Sequence, residues 1–165
     1  MTKEEALNSL VESRGVLDQA IEGLGEEEMT QVQVEGVWTI KDVLGHIASW
    51  DETMLEPLRR CVSGDPYEVE VIEDYLAWND EQAAYKRDVP LLATLNELAT
   101  IRQELVTLAN GLSAEQWEER MTFPWGGAGK LTRALGGLAY HEMEHAHTIR
   151  RWRDDRGTGR RGDKE

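Results

Sequence analysis

Three of the four histidines of this 165-residue chain fall within seven residues, in the run Tyr140-His141-Glu142-Met143-Glu144-His145-Ala146-His147. On a helix, residues four apart stack one turn above each other. His141 and His145 can therefore aim their imidazoles at one metal ion, and Glu142 completes a literal H-E-x-x-H string. The remaining histidine, His46, lies far upstream in a second segment of helical pattern. Two histidines on one helix and one on another match a three-ligand metal site in a helical bundle, with coordination left open for water or substrate. The expected ion is divalent, Zn²⁺ or Ni²⁺. It needs neutral imidazoles, so its affinity should fall steeply as pH drops through the histidine range, near about 6.5.

Helical phase sorts these residues. At about 100° per residue, Leu131, Leu135, Leu138, Ile149 and Trp152 share one face of the last helix, with Glu142 and His145 inside that stripe. His141 lies at its edge and His147 nearly opposite. A buried carboxylate is costly unless paired or bound to a cation. Glu142 is therefore a candidate general base or partner of the ligands; the alternative is a structural salt bridge, for instance to the inward-leaning Arg14. On the second helix His46 borders the apolar face, Trp50 follows one turn on, and Asp51 falls inside the stripe as a weaker candidate for the same catalytic role. Any one of these polar residues can be a hydrogen-bonded core group. Together on two helices they point to a site, with Trp50 and Trp125 as its expected pocket walls.

Other motifs carry less. The zincin reading of H-E-x-x-H needs a neighbouring strand to hold the peptide, and no segment here has convincing strand character. Gly126-Gly127-Ala128-Gly129-Lys130-Leu131-Thr132 fails as a phosphate loop, because Pro124 and Leu131 stand where Gly and Ser or Thr are required. The lone Cys61 excludes an internal disulfide and fits a reduced, cytoplasmic setting. Packing is its expected role, with a nucleophile as the alternative.

The elements that must position the site read as helices. Leu, Ala, Glu and Arg dominate and no alternating β-branched run occurs. Thr2 can cap a first helix whose stripe is Leu7, Leu10, Val11, Leu17, Ile21 and Leu24. Residues 25 to 37 read as an acidic loop. Thr39, with Asp42 three residues on, caps a second helix running to about Cys61. Ser63-Gly64-Asp65-Pro66 breaks the chain, a helical segment spans about 71 to 87, and a helix opening at Pro90 runs to Gly111. Ser113-Ala114-Glu115-Gln116 is a capping box, and the last helix spans about 130 to 153. Two halves echo each other, each a long helix, a Trp-bearing loop and a His-bearing helix. The expected organisation is one domain over 1–153 and a flexible basic tail over 154–165.

Charge narrows the partners. The chain carries 18 basic and 32 acidic residues, for a net −14, which disfavours nucleic acid or an anionic membrane. From Arg150 onward the balance reverses, with seven Arg or Lys against four Asp or Glu. No apolar run approaches a membrane span, and the first residues contain no signal-peptide core.

The residues also resemble a known family. Gly36-Val37-Trp38-Thr39-Ile40-Lys41-Asp42-Val43-Leu44-Gly45-His46-Ile47 is similar to the second-helix signature of the DinB/YfiT-like superfamily. His141-Glu142-Met143-Glu144-His145 is similar to its last-helix signature, and Leu112-Ser113-Ala114-Glu115-Gln116-Trp117 to the segment between. His46-Ile47-Ala48-Ser49-Trp50-Asp51 also resembles the ClbS/DfsB-like branch. The resemblance implies an all-α, up-down-down-up four-helix bundle, often a homodimer, binding a divalent metal through His46, His141 and His145. It further implies a thiol-dependent S-transferase or a hydrolase acting on a small electrophile, with a low-molecular-weight thiol as co-substrate. The alternative is a non-catalytic bundle that binds a small molecule or protein, with structural histidines.

Overall fold

The computed structural model describes residues 1–65 and 68–157. Four helical columns form the bundle: α1 (Lys3–Ile21), α3 (Ile40–Glu52) continued by α4 (Leu55–Ser63), α6 (Leu91–Asn110) and α8 (Leu131–Gly157). Between them lie α2 (Glu26–Gln31), α5 (Tyr75–Lys86) and α7 (Ala114–Glu118), with two antiparallel hairpins, β1 (Gln33–Glu35) to β2 (Trp38–Thr39) and β3 (Arg120–Thr122) to β4 (Ala128–Lys130).

Contacts along the columns give their directions. Ser13 meets Glu142, and Arg153 donates to the carbonyls of Ala20 and Glu22, so α1 and α8 run parallel. Lys41 reaches the carbonyl of Val89 while Asp51 meets Arg102, so α3 and α6 run parallel too. His46 meets His141 whereas Glu35, upstream of His46, meets His145, which makes α3 antiparallel to α8. The order is up-down-down-up, as the family resemblance implied. Two adjacent parallel helices need a long return connection, and residues 64 to 90, with α5, supply it. No residue of α5 is buried; it rides outside the bundle against α3.

Local chemistry accounts for the ends. Capping boxes at Thr2/Glu5, Thr39/Asp42 and Ser113/Gln116 satisfy free N–H groups of α1, α3 and α7. The core is built from Leu10 and Leu17, from Ile40, Leu44 and Ile47, from Leu105, and from Leu135 and Ile149.

Several expectations change. The second helix is not continuous to Cys61: it breaks at Thr53-Met54, because Pro57 has no N–H for the Thr53 carbonyl and its ring crowds that group. Residues 25 to 37 are not all loop, since α2 and β1 form there. The four short strands also correct the strand-free reading; a hairpin this small has no long alternating pattern to betray it. Val11, placed in the apolar stripe, is 70% exposed. The last helix runs past Arg153 to Gly157, held by Arg153 and by an ion pair from Arg156 to Glu28. The rest of the expected tail, residues 158–165, and Pro66 of the expected break lie outside the described residues. The echo of the two halves is visible as one element order used twice: long helix, short helix, hairpin, His-bearing helix.

Candidate metal centre

His46 from α3 and His141 and His145 from α8 converge. Nε2 of His141 lies 2.9 Å from Nε2 of His46 and 3.0 Å from Nε2 of His145. A ring nitrogen carries either one hydrogen or one lone pair in its plane, so Nε2 of His141 makes a linear hydrogen bond to only one neighbour. A cation between the rings would instead receive all three lone pairs.

The hairpin β1–β2 builds the back of this cluster. Gly36, with φ of 57°, turns the chain where a side chain would be strained. That turn pairs Glu35 with Trp38. Glu35 Oε2 lies 2.8 Å from Nδ1 of His145, and the Trp38 ring packs 4.7 Å from that of His46. Nδ1–H of His145 donates to this carboxylate, which in the neutral ring places the Nε2 lone pair towards the other imidazoles. His147 is exposed on the outer face of α8, as its helical phase implied.

Burial sets the charge state. The His46 pKa is pushed down to about 2 and that of His141 to about 3, first by loss of water and then by the neighbouring imidazoles. Both are neutral at pH 7, as metal ligands must be. Unfolded histidines protonate near 6.5, so between about 3 and 6.5 the unfolded chain binds more protons. With chelator present, the stability contribution of these two groups is complete above about pH 6.5 and is lost as pH falls below it, by up to about 1.4 kcal/mol per pH unit for each histidine. Urea unfolding between pH 7 and pH 5 should show a shallower loss in His46→Gln/His141→Gln than in the parent. Parallel curves would mean that the two imidazoles titrate normally.

Glu142 and Asp51, the expected catalytic carboxylates, sit in a second cluster. Glu142 is fully buried; its Oε1 accepts from Ser13 Oγ (2.8 Å) and Arg102 Nη1 (3.1 Å), its Oε2 from Arg14 Nε (3.0 Å) and Arg102 Nη2 (3.2 Å). Asp51 Oδ2 accepts from Arg102 Nε at 2.9 Å and lies 3.7 Å from Arg14. Loss of water works against the Arg102 charge, but Asp51 and Glu142 outweigh it and raise its pKa. Two cations and two anions thus join all four columns, and the Arg14 pairing weighed from the sequence is present. Arg102 was not singled out there, although it stands in the Leu98, Ile101, Leu105 stripe, where a cation is a signal. Glu35 had no such signal, since it lies in an acidic stretch. Cys61 is half-buried, and burial followed by the Glu119 charge raises its thiol pKa, which makes it a poor nucleophile.

A cleft of ≈ 360 Å³ opens against His46 and His141, walled by Trp50, Tyr75 and Trp125. Both tryptophans named from the sequence line it. Trp125 is carried by the β3–β4 hairpin, whose Pro124 carbonyl accepts from Ile72 N–H at 2.8 Å.

Residues 9–149 match the sequence model of the DinB superfamily. This chain belongs to that superfamily. It is similar to a proposed metal-dependent hydrolase of Oceanobacillus iheyensis, 24% identical over 136 residues that cover 81% of this chain and 75% of that protein. Solved structures share the DinB-like fold. YfiT of Bacillus subtilis, described as a metal-dependent hydrolase by inference and as an unusual four-helix bundle, superposes with a TM-score of 0.71 at 20% identity, covering 94% of this chain and 87% of YfiT. A mycothiol-dependent maleylpyruvate isomerase superposes at 0.76 with 15% identity; the match covers 90% of this chain but only 61% of the isomerase. ClbS, a colibactin self-resistance protein solved with double-stranded DNA, superposes at 0.76 with 13% identity, over 92% of this chain and 94% of ClbS.

Proposed function

We propose that this DinB-superfamily chain is a metal-dependent enzyme that activates a thiol or a water for attack on a small electrophile, as an S-transferase or a hydrolase. The observation that carries the proposal is the convergence of three Nε2 atoms beside an aromatic cleft, with Glu35 behind one of them. The donor set fits a divalent ion such as Zn²⁺ or Ni²⁺: one buried and two half-buried imidazoles, with His46 and His141 held neutral, supply nitrogen ligands and leave coordination positions free. When bound, the ion supplies Lewis acidity that lowers the pKa of the attacking thiol or water. Glu35 holds the Nδ1 proton of His145 and so keeps that ring in the ligating tautomer. Trp50 and Trp125 present aromatic surface to a substrate in the cleft. Glu142, whose two oxygens already accept four hydrogen bonds from Ser13, Arg14 and Arg102, has a structural role: it ties α8 to α1 and α6.

Metal analysis of the purified chain, then turnover of a model electrophile with and without added thiols, tests the proposal. Metal-dependent turnover that needs a thiol supports the transferase, and turnover without one supports the hydrolase. Stoichiometric metal with no turnover across the thiols would favour a binding module. Glu35→Gln is expected to weaken metal affinity by about 10- to 100-fold, measured by competition with a chromophoric chelator; an unchanged affinity would remove Glu35 from the site.

A homodimer belongs to the same proposal and is read from light scattering, where a mass of one 18.7 kDa chain would exclude it. No helix among the described residues is long and apolar enough to cross a membrane. The solved ClbS complex means that the fold as such does not exclude nucleic acid. For this chain the case against it rests on the net charge of −14.

A further inference from the structure

The cleft has a composition that restricts what enters it. Its lining is Trp50, Tyr75 and Trp125 on the walls, Gly137 and Leu138 below, and Asn79 with the two imidazoles as polar members. None of these residues is Asp, Glu, Lys or Arg. A carboxylate or phosphate seated there would lose water and find no cationic side chain in exchange. Aromatic walls reward a flat apolar body instead, and Trp50 is braced by Trp78 at 4.5 Å and by Trp125 at 6.4 Å between ring centres.

Two residues add direction. Trp50 Nε1–H donates to Asn79 Oδ1 at 2.9 Å. An indole nitrogen only donates, so the amide oxygen of Asn79 is turned to Trp50. Its Nδ2 keeps its donors, with no acceptor for them among the described residues. Gly137 lies one turn before His141 on α8, where glycine weakens a helix relative to alanine. A Cβ at this position would meet only Trp125 Cζ2, at 3.8 Å, an ordinary contact. The protein's own packing therefore does not require the glycine. The space it leaves belongs to the cleft floor beside His141.

We infer that the cleft selects a neutral, flat, largely apolar electrophile, with an acceptor oxygen bonded to Asn79 Nδ2 and its ring over Gly137, against the wall that Trp50 and Trp125 form together. This rests on the proposed function for the reaction, but the selection itself resides in these side chains. It is tested on the full chain with chelator present, so that no ion attracts an anion, by following the Trp50 and Trp125 indole N–H signals in ¹⁵N-edited spectra. The probes are 2-naphthamide and 2-naphthoate, which share a ring and differ in charge, and naphthalene, which has no acceptor.

Naphthamide is expected to shift both indole signals and to bind at least about tenfold more tightly than naphthoate. Asn79→Asp keeps the acceptor for Trp50 and removes the donor, and should weaken naphthamide by about tenfold while leaving naphthalene unchanged. Gly137→Ala should weaken naphthamide and naphthalene alike, with the melting temperature unchanged or raised. Equal binding of naphthoate, shifts confined to other tryptophans, or full naphthamide affinity in either variant would overturn the inference. Metal-induced stabilisation, measured in parallel, separates the two readings. Stabilisation without cleft binding overturns only the cleft; cleft binding without stabilisation supports the cleft and overturns only the metal enzyme.

Discussion

Zn²⁺ or Ni²⁺ added at pH 7.5 is expected to raise the melting temperature of this protein by roughly 8–16 °C, and His145→Ala is expected to erase that rise. An ion that binds only the folded state, at about a thousandfold excess over its dissociation constant, adds about 4 kcal/mol. For a domain of this size about 1 kcal/mol corresponds to roughly 2–4 °C. His46→Ala and His141→Ala should behave like His145→Ala, because each removes one of three converging nitrogens. His147→Ala should leave the rise intact, since that side chain is exposed on the other side of α8. Burial revises the pH dependence expected from reference histidines. With His46 and His141 neutral down to about 2 and about 3, they do not compete with the ion at pH 5. The fall in affinity between pH 7 and pH 5 should then be shallower than three imidazoles of ordinary pKa would give. Equal melting temperatures with metal and with chelator at pH 7.5 would sink the metal centre.

The largest loss of stability should come from Arg102→Met. Arg102 is buried and pairs with both Asp51 and Glu142, so its removal leaves two buried carboxylates opposite the single guanidinium of Arg14. Breaking a buried ion pair from one side costs about 3–5 kcal/mol. Arg102→Met/Asp51→Asn removes one charge of each sign and leaves the Arg14–Glu142 pair. It should therefore be less destabilised than the sum of its single variants, by about 1–3 kcal/mol of coupling. Urea midpoints of the four proteins measure this, and additive losses would refute the network. Glu142→Gln is expected to lose stability in the same way yet bind Zn²⁺ with affinity near that of the parent. A stable Glu142→Gln variant that had lost only turnover would restore Glu142 as a catalytic base.

What could be read along the chain is whatever helical geometry transmits over one or two turns. The spacing of His141 and His145, the outward phase of His147 and the apolar setting of Glu142 and Asp51 all follow from 3.6 residues per turn. Capping at Thr2, Thr39 and Ser113 is likewise written within four residues. Burial of Asp51 and Glu142 was legible, and so was Arg14 as a partner; Arg102 was not, because it reaches Glu142 only once α6 and α8 face each other across the core. Pro57 was a local signal, and its effect on the second helix follows from the ring and the missing N–H alone.

Glu35 marks the other limit. Nothing distinguishes it in sequence from the acidic residues around it, and a three-residue strand leaves no pattern. It meets His145 only because the hairpin folds back across the bundle end. Asn79 joins the site for a similar reason: α5, without a buried residue of its own, is laid against Trp50 by the long return that two parallel columns demand. The sequence by itself therefore determined most of the residues that face inward on the bundle helices, Val11 being an exception. Tertiary structure decided which inward residues meet, because a contact between distant segments depends on the direction and packing of whole helices, and no local pattern encodes that.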